Sequence, residues 1–369
     1  MRIILAGGGT GGPITPLIAV MQKIKLQHQD SQFMLVGTNS GLEKKFAAQY
    51  SMPFASIPAG KFRRYFSFAN FASPFLVLAG FIKSIFLIKK FKPDLVFGAG
   101  GFVSVPIIFA AALMGKKILV HQQDSELSLT NRITAPLADK ITVSFENSLK
   151  DFSSGSGLVR ASGEKENSKI IWTGNPVRSE FFHSHAPAEI AEIKRKFKIA
   201  DQRPVILMLG GATGAAALNS VILQALPQLI TFAEIIQSTG KNKGLNFQNP
   251  HYRQFGIVEN IQEAYAVSNI VICRAGMGTI SELAAVRKPA IIIPMPDSHQ
   301  EKNAQALEQA GAAIVLGQKG LDGEKLLSII KKLLYDGQWQ RELSENIGKI
   351  MPENAAERIA AEIYKLCKP

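Results

Sequence analysis

Cysteine is almost absent. Cys273 and Cys367 are the only two in 369 residues, too few for a disulfide framework or a cysteine-built metal set, so a reducing, cytoplasmic setting is expected. No secretory leader is expected either, because Met1-Arg2 runs straight into Ile3-Ile4-Leu5-Ala6 and a block of glycines, which reads as a first strand. No tandem repeat is visible, which excludes a solenoid. No glycine-rich turn ends in Gly-Lys-Ser/Thr, which excludes a phosphate-hydrolysing P-loop. No Asp-x-Asp stands in a suitable loop, so no metal cofactor is expected. Charged residues are sparse at 19 % and hydrophobic ones reach 46 %, a balance that excludes intrinsic disorder and supports two domains with their own cores.

Acidic residues are scarce in one half only. The net charge is +13; residues 1–170 hold 20 Lys+Arg against 10 Asp+Glu, and residues 171–369 hold 22 against 19. A basic half points to an anionic partner: nucleic acid, lipid or a phosphorylated substrate. Between Lys61 and Lys92 there are seven basic residues, no acidic one, and nine of the thirty aromatics. Residues 65–82 carry no charge for 18 positions, but Pro74, Asn70 and serines interrupt them, which argues against a spanning helix. Phe68, Phe75 and Phe81 framed by Lys61, Arg63 and Arg64 fit interfacial docking on anionic lipid instead. A buried crossover helix is the competing reading of this segment. Nucleic acid is not the expected partner, because stacking aromatics would interleave with the basic residues instead of massing between them.

Short apolar runs alternate with helical patterns along the chain, the pattern of parallel α/β layers. The expected strands are 2–6, 32–36, 55–57, 95–98, 117–121 and 141–143 in the first half. In the second they are 205–209, 231–236, 255–258, 270–273, 290–293 and 313–316. Residues 151–169 are polar and read as a surface excursion, and Gly174-Asn175-Pro176 marks a boundary. The reading is two doubly wound, Rossmann-like domains: 1–174 joined by a returning terminal helix at 352–369, and 175–351.

Each half opens with a strand, a glycine turn and a helix: Gly7-Gly8-Gly9-Thr10-Gly11-Gly12 in one, Gly210-Gly211-Ala212-Thr213-Gly214-Ala215 in the other. Such turns let backbone N–H groups approach an anion at a helix N-terminus. One is weak evidence; two at equivalent points favour a ligand cleft. The first fits the bare Gly-x-Gly-x-x-Gly spacing but lacks an acidic ribose partner after the second strand, where Gly37-Thr38-Asn39 stands, so a nicotinamide enzyme is disfavoured. A third turn is Cys273-Arg274-Ala275-Gly276-Met277-Gly278-Thr279-Ile280-Ser281-Glu282. Thr279 or Ser281 is expected to open a helix whose N-terminus takes a diphosphate, with Glu282 in its first turn accepting from ribose hydroxyls. The competing role for Glu282 is dipole compensation, and for Arg274 binding strand-end carbonyls. Cys273 reads as core, and His183 and His185 as solvated histidines in an acid-poor loop.

The ordered set Gly7–12, Gly98-Ala99-Gly100-Gly101-Phe102-Val103-Ser104, His121-Gln122-Gln123-Asp124, Leu129-Thr130-Asn131, Gly174-Asn175-Pro176-Val177-Arg178, Gly210-Gly211, Cys273-Arg274-x-Gly276 and His299-Gln300-x-x-Asn303-Ala304 resembles the MurG family of bacterial cell-wall glycosyltransferases. The resemblance runs over nearly the whole chain. It implies a GT-B fold, α/β with two Rossmann-like domains facing a cleft, UDP-N-acetylglucosamine as donor and no metal cofactor. It also implies an undecaprenyl-diphosphate-linked muramoyl-pentapeptide (lipid I) as acceptor, lipid II as product, and a peripheral place on the cytoplasmic face of the cell membrane.

By the same resemblance Glu282 is the ribose ligand and Ile257 or Val258 the uracil contact. Arg178, Arg274, Met277, Gly278, Thr279, Ile280, Ser281 and Gln300 are further donor contacts, with Ala212 and Thr213 in the second glycine turn. Thr10, Gly11 and Gly12 face the diphosphate or acceptor. Several positions depart from the family pattern: Pro13 replaces its His, Gln122 its Glu, Asp124 its Asn, Phe102 its Tyr, and Gln237-Ser238-Thr239-Gly240-Lys241 its His-Gln-Thr/Ser-Gly-Lys. The chemistry implied is one inverting displacement needing a base at the acceptor hydroxyl. Asp124, also counted among the donor contacts, is the first candidate base and His121 the second. A related transferase with another lipid acceptor, a UDP-sugar epimerase and a non-catalytic nucleotide-sugar binder are the alternatives.

Overall fold

The computed structural model describes every residue except 9–11, 40, 42, 61–68, 154–167, 200–201, 211–215, 241–243 and 369, and for 69–72 and 153 only the backbone. Thr10, Gly11, Ala212, Thr213, Lys61, Arg63, Arg64 and Phe68 therefore lie outside the described residues or side chains. The chain divides into two compact units, Met1–Arg178 with Met351–Pro369, and Ser179–Ile350.

In the first unit, β1 (Arg2–Ala6), β2 (Gln32–Gly37), β3 (Phe54–Ser56), β4 (Leu95–Gly98), β5 (Lys117–Gln122), β6 (Lys140–Val143) and β7 (Ile170–Trp172) form one parallel sheet in the order β3-β2-β1-β4-β5-β6-β7. The helices between them are α1 (Ile14–Gln27), α2 (Glu43–Gln49), α3 (Ala69–Phe91), α4 (Ser104–Leu113), α5 (Leu129–Thr134) and α6 (Leu149–Ser153). The central strands are buried along most of their length, which is why they read as continuous β-branched runs instead of alternating ones.

The second unit holds α7 (Pro187–Lys196), β8 (Val205–Leu209), α8 (Ala216–Leu229), β9 (Glu234–Ser238), β10 (Tyr252–Phe255), α9 (Ile261–Val267), β11 (Ile270–Cys273), α10 (Met277–Val286), β12 (Ala290–Ile292), α11 (Gln300–Gln309), β13 (Ile314–Val315), α12 (Gly323–Tyr335) and α13 (Gly337–Lys349). Its parallel sheet runs β10-β9-β8-β11-β12-β13. Both units thus wind outward from their first strand in two directions, with a switch point between β1 and β4 and another between β8 and β11.

α14 (Ala355–Cys367) belongs to the first unit. Its Ile359, Ala360 and Ile363 share a core with Ile14, Leu17 and Ile18 of α1. Lys140 meets Glu362 at 2.9 Å with both side chains largely buried, and Lys23 meets Glu357 at 2.7 Å.

Three strands differ from expectation. β9 begins at Glu234, not Thr231, because Phe232 and Ala233 still donate to the Leu229 carbonyl at the end of α8. β10 is Tyr252–Phe255, not 255–258: its partner β9 ends opposite Phe255 at Ser238, so residues 257–258 have no strand to pair with. β7 was not anticipated; Ile170-Ile171-Trp172 pairs with β6 directly after the polar excursion.

α3 is apolar on every side, and its packing is inverted. Ser73, Gly80, Ser84 and Ile88 face inward, where a Cβ on Gly80 would lie 2.0 Å from the Pro58 carbonyl oxygen. Small residues let α3 sit close to its neighbours, and several bulky ones are left outside. Phe75 is 76 % and Phe86 67 % exposed, beside exposed Leu76, Leu78 and Ile82. Phe81, expected on the lipid-facing surface, instead packs against the core with Ile85 and Phe91.

Candidate active site

At the switch point of the first sheet, the loops after β1 and β4 run backbone against backbone. Gly101 has φ 78°, and a Cβ on it would lie 2.3 Å from the Gly8 carbonyl oxygen, so only glycine fits. Ser104, at the start of α4, donates to the carbonyls of Ala6 (3.1 Å) and Gly100 (2.8 Å), tying the two strand ends together. The fully buried Glu43 fills the space above Gly8, where a Cβ would come within 2.2 Å of its Oε1. Pro13 sits at the N-cap of α1 with φ −66°, and no side chain among the described residues caps that helix. Gly12 accepts from the Thr15 hydroxyl at 3.1 Å.

The loop after β5 is braced by its own amides. Gln122 Nε2 donates to the carbonyls of Asp124 (2.9 Å) and Glu126 (2.7 Å), and its Oε1 accepts from Asn131 Nδ2 (2.6 Å). Gln123 Nε2 donates to the Ala99 carbonyl at 2.7 Å, which joins this loop to the glycine turn after β4. Asp124 lies two residues beyond the strand end and is half-buried, on a turn fixed from both sides.

His121 is not available as a base. It is fully buried, with Nδ1 2.9 Å from Thr142 Oγ1 and Nε2 2.8 Å from Asn175 Oδ1. Burial pushes its pKa down to about 4, against its hydrogen bonds to Asn175 and Thr142. A neutral ring with both nitrogens engaged is a tie between β5, β6 and the segment after β7, and it offers no lone pair to a substrate. Sequence alone could not separate this role from a catalytic one, since a strand-end histidine reads the same in both.

At the second switch point, β11 ends at Cys273 and α10 begins at Met277. Gly276 is the N-cap in extended conformation (φ −78°, ψ 138°), with no side-chain cap among the described residues. Ile280 N–H already bonds to the Gly276 carbonyl, so the N–H groups of Met277, Gly278 and Thr279 form the helix N-terminus. The helix starts earlier than the Thr279 or Ser281 expected from sequence. Ser281 is buried and its hydroxyl donates to the Met277 carbonyl at 2.7 Å inside the helix, so it is neither cap nor ligand. The Ile280 side chain is fully buried and the Met277 side chain nearly so; only their backbone can contribute.

Glu282 consequently stands in the second turn, not the first, and dipole compensation no longer explains it. Its Oε2 accepts from the Tyr265 phenol at 3.2 Å. Tyr265, on α9, is fully buried with Phe181 edge-on to its ring. Burial and the Glu282 charge hold the phenol well above its ordinary pKa and do the same to the buried Cys273 thiol, which is core and not a nucleophile. Sequence reasoning missed Tyr265; its only signal was a tyrosine inside the apolar run preceding β11.

Arg274 is engaged on the neighbouring strand ends. Its guanidinium donates to the carbonyls of Ile293 (3.0 Å) and Pro294 (2.9 Å) and to Gln318 Oε1 (2.5 Å), joining the loops after β12 and β13. The expectation that it contacts the donor is corrected: three acceptors already hold it, two of them the strand-end carbonyls that were its competing role. Asn303 Nδ2 donates to the Ala275 carbonyl at 3.1 Å, pinning the turn after β11 to α11. Gln300 opens α11 and accepts from Met295 N–H at 3.0 Å. Arg178 is half-buried at the end of the first unit's main segment. Val258 is buried and Ile257 exposed, in the loop before α9 and not in a strand.

Two doubly wound sheets, each with a glycine turn and a helix N-terminus at its switch point, define a GT-B-type nucleotide-sugar architecture. The sequence pattern of the glycosyltransferase family 28 N-terminal domain matches residues 3–143, and that of the family 28 C-terminal domain matches residues 205–361. The chain is 36 % identical over 370 residues to the UDP-N-acetylglucosamine--N-acetylmuramyl-(pentapeptide) pyrophosphoryl-undecaprenol N-acetylglucosamine transferase of Borreliella burgdorferi, covering 98 % of this chain and 96 % of that one. It is 32 % identical over 381 residues to the Bacillus subtilis protein of the same name, covering 100 % of both. The crystal structure of Acinetobacter baumannii MurG superposes with a TM-score of 0.72 at 25 % identity, covering 99 % of both chains. The chain belongs to glycosyltransferase family 28.

Proposed function

We propose that this chain transfers N-acetylglucosamine from UDP-N-acetylglucosamine to the lipid-linked muramoyl-pentapeptide, making lipid II for peptidoglycan synthesis. The observation that carries the reading is the start of α10 with Glu282 beyond it. Three backbone N–H groups at the switch point suit a diphosphate. Glu282, five residues further on, stands about 7.5 Å along the helix axis, the span from the phosphates of a nucleoside diphosphate to its ribose hydroxyls. The full-length relatives that carry this transferase name support the same donor and acceptor.

In the proposed reaction the acceptor hydroxyl attacks the anomeric carbon of the donor. The bond from that carbon to the diphosphate oxygen breaks, UDP leaves, and the hydroxyl proton passes to a base. Asp124 is our assignment for that base, and Gly12 with the N-terminus of α1 is assigned to the acceptor side. The second unit is assigned to the donor, with Val258 or Ile257 on the uracil and Gln300 as a further contact; Arg178, the last residue of the first unit's main segment, is assigned to the donor as well. No helix among the described residues is long and apolar enough to cross a membrane. The outward phenylalanines of α3, followed by exposed Lys89, Lys90 and Lys92, support peripheral docking on the cytoplasmic membrane face.

The test is UDP release measured with the lipid-linked acceptor present and omitted; release has to depend on the acceptor. On the donor side, Glu282→Ala is expected to weaken UDP binding by about 1–3 kcal/mol, the worth of charge-assisted hydrogen bonds. Tyr265→Phe, which frees the carboxylate to swing, is expected to cost about 0.5–1.5 kcal/mol. Calorimetry of UDP with the parent and both variants measures this. Equal affinities in all three would remove Glu282 from the donor site.

A further inference from the structure

The loop before α7, near the start of the second unit, carries His183 and His185, and the first turn of α7 carries Glu189. Glu189 lies four residues beyond His185, and the turn between them brings its carboxylate back to both rings. One ligand atom from each of the three residues lies within 4.8 Å of the others. His183 Nε2 is 3.5 Å and His185 Nδ1 3.7 Å from the same oxygen, Glu189 Oε2. Both distances exceed the roughly 2.7–3.2 Å of a hydrogen bond. The first meets the edge of a tetrahedron, about 3.3–3.5 Å, around an ion with zinc–nitrogen and zinc–oxygen bonds near 2.0–2.2 Å, and the second exceeds it by a few tenths of an ångström.

We propose that His183, His185 and Glu189 form a divalent-cation site, suited to zinc, with water as the fourth ligand. Two imidazoles and one carboxylate are the ligand types zinc selects, and three protein ligands leave one position open. The site is partly built before any ion arrives. Ala186 N–H donates to Glu189 Oε2 at 2.8 Å, which fixes the carboxylate across the loop. The two rings stand edge to face with centroids 4.7 Å apart, and a nitrogen of each faces the same carboxylate oxygen. His185 is mostly buried, with a side-chain exposure of 17 %, so its ring is held by the fold. An ion bound here fastens loop 183–186 to the start of α7, which itself is tied to α9 by the 3.0 Å contact of Lys196 with Glu263. Its effect is on the stability of this corner, not on sugar transfer.

Isothermal titration of the full chain with zinc, and visible absorption on titration with cobalt(II), test the site. The parent is expected to bind one ion per chain in the micromolar range and to give the intense band of four-coordinate cobalt. His185→Ala and Glu189→Gln are expected to weaken binding at least about tenfold and to abolish that band. Glu189→Gln keeps an oxygen for Ala186 N–H, so its metal-free melting temperature should equal the parent's and separates ligation from folding. A parent that binds neither metal below millimolar concentration overturns the proposal, as do variants that bind both as the parent does.

Discussion

Asp124→Asn is expected to lower kcat for sugar transfer by roughly 10²–10⁴, the usual worth of a general base, or about 3–5 kcal/mol in the barrier. The expectation starts from a loss. Pro13 stands where relatives of the resembled family carry histidine, and proline has neither a titratable group nor an N–H. At the N-cap of α1 it is well tolerated, with φ −66°, so the fold survives and only the chemistry has to move. His121 cannot take over, since both its ring nitrogens are bonded inside the protein. Asp124 remains: a half-buried carboxylate on a loop that Gln122, Gln123 and Asn131 hold rigid beside the glycine turn after β4. UDP affinity should stay unchanged, because Glu282 and the N-terminus of α10, to which the ribose and diphosphate are assigned, belong to the second unit and Asp124 to the first. Steady-state kinetics beside UDP calorimetry separates the two; a variant with the parent's kcat would remove Asp124 from the reaction.

Replacing Phe75 and Phe86 together by serine is expected to lower partitioning onto anionic vesicles by at least about 10²-fold. Burying one such side chain contributes about 1.5–3 kcal/mol, and each tenfold change corresponds to about 1.4 kcal/mol. Both rings are already mostly in water, so melting temperature should hardly change. Phe81→Ser makes the contrast. Its ring packs against the core around Ile88 and Ile107, so the expected loss is in stability, with a lower melting temperature. High salt should weaken binding as well, since each lysine near the surface contributes about 1 kcal/mol. Vesicle flotation measures all of this; equal flotation of the double variant and the parent would exclude α3 as the docking face.

The sheets were largely legible because parallel strands, covered on both faces, are written as unbroken apolar runs such as Val205-Ile206-Leu207-Met208-Leu209. Where a strand's end depends on its partner, as for β10 against β9, the run alone misplaced it by three residues. α3 shows a different limit. A helix apolar all round has no phase to read, and only Gly80 against the Pro58 carbonyl reveals that its small residues face inward. In α10 the sequence offered Thr279 and Ser281 as conventional caps, while the cap is the glycine before them, which moved Glu282 one turn deeper. Arg274 was read as a donor contact and His121 as a candidate base because strand ends are where ligands bind. Whether such a side chain points outward or closes the fold depends on carbonyls and hydroxyls far away in sequence. Tyr265 was missed for the same reason, since it acquires its meaning from Glu282 on another helix.

The most direct measurement follows the acceptor itself. The full chain is incubated with UDP-N-acetylglucosamine and a lipid-linked muramoyl-pentapeptide analogue, and the lipid product is examined by mass spectrometry. Our account predicts that the acceptor gains one N-acetylhexosamine for every UDP released. An acceptor of unchanged mass, whether UDP is merely bound or the donor sugar is released or epimerised without it, would contradict it.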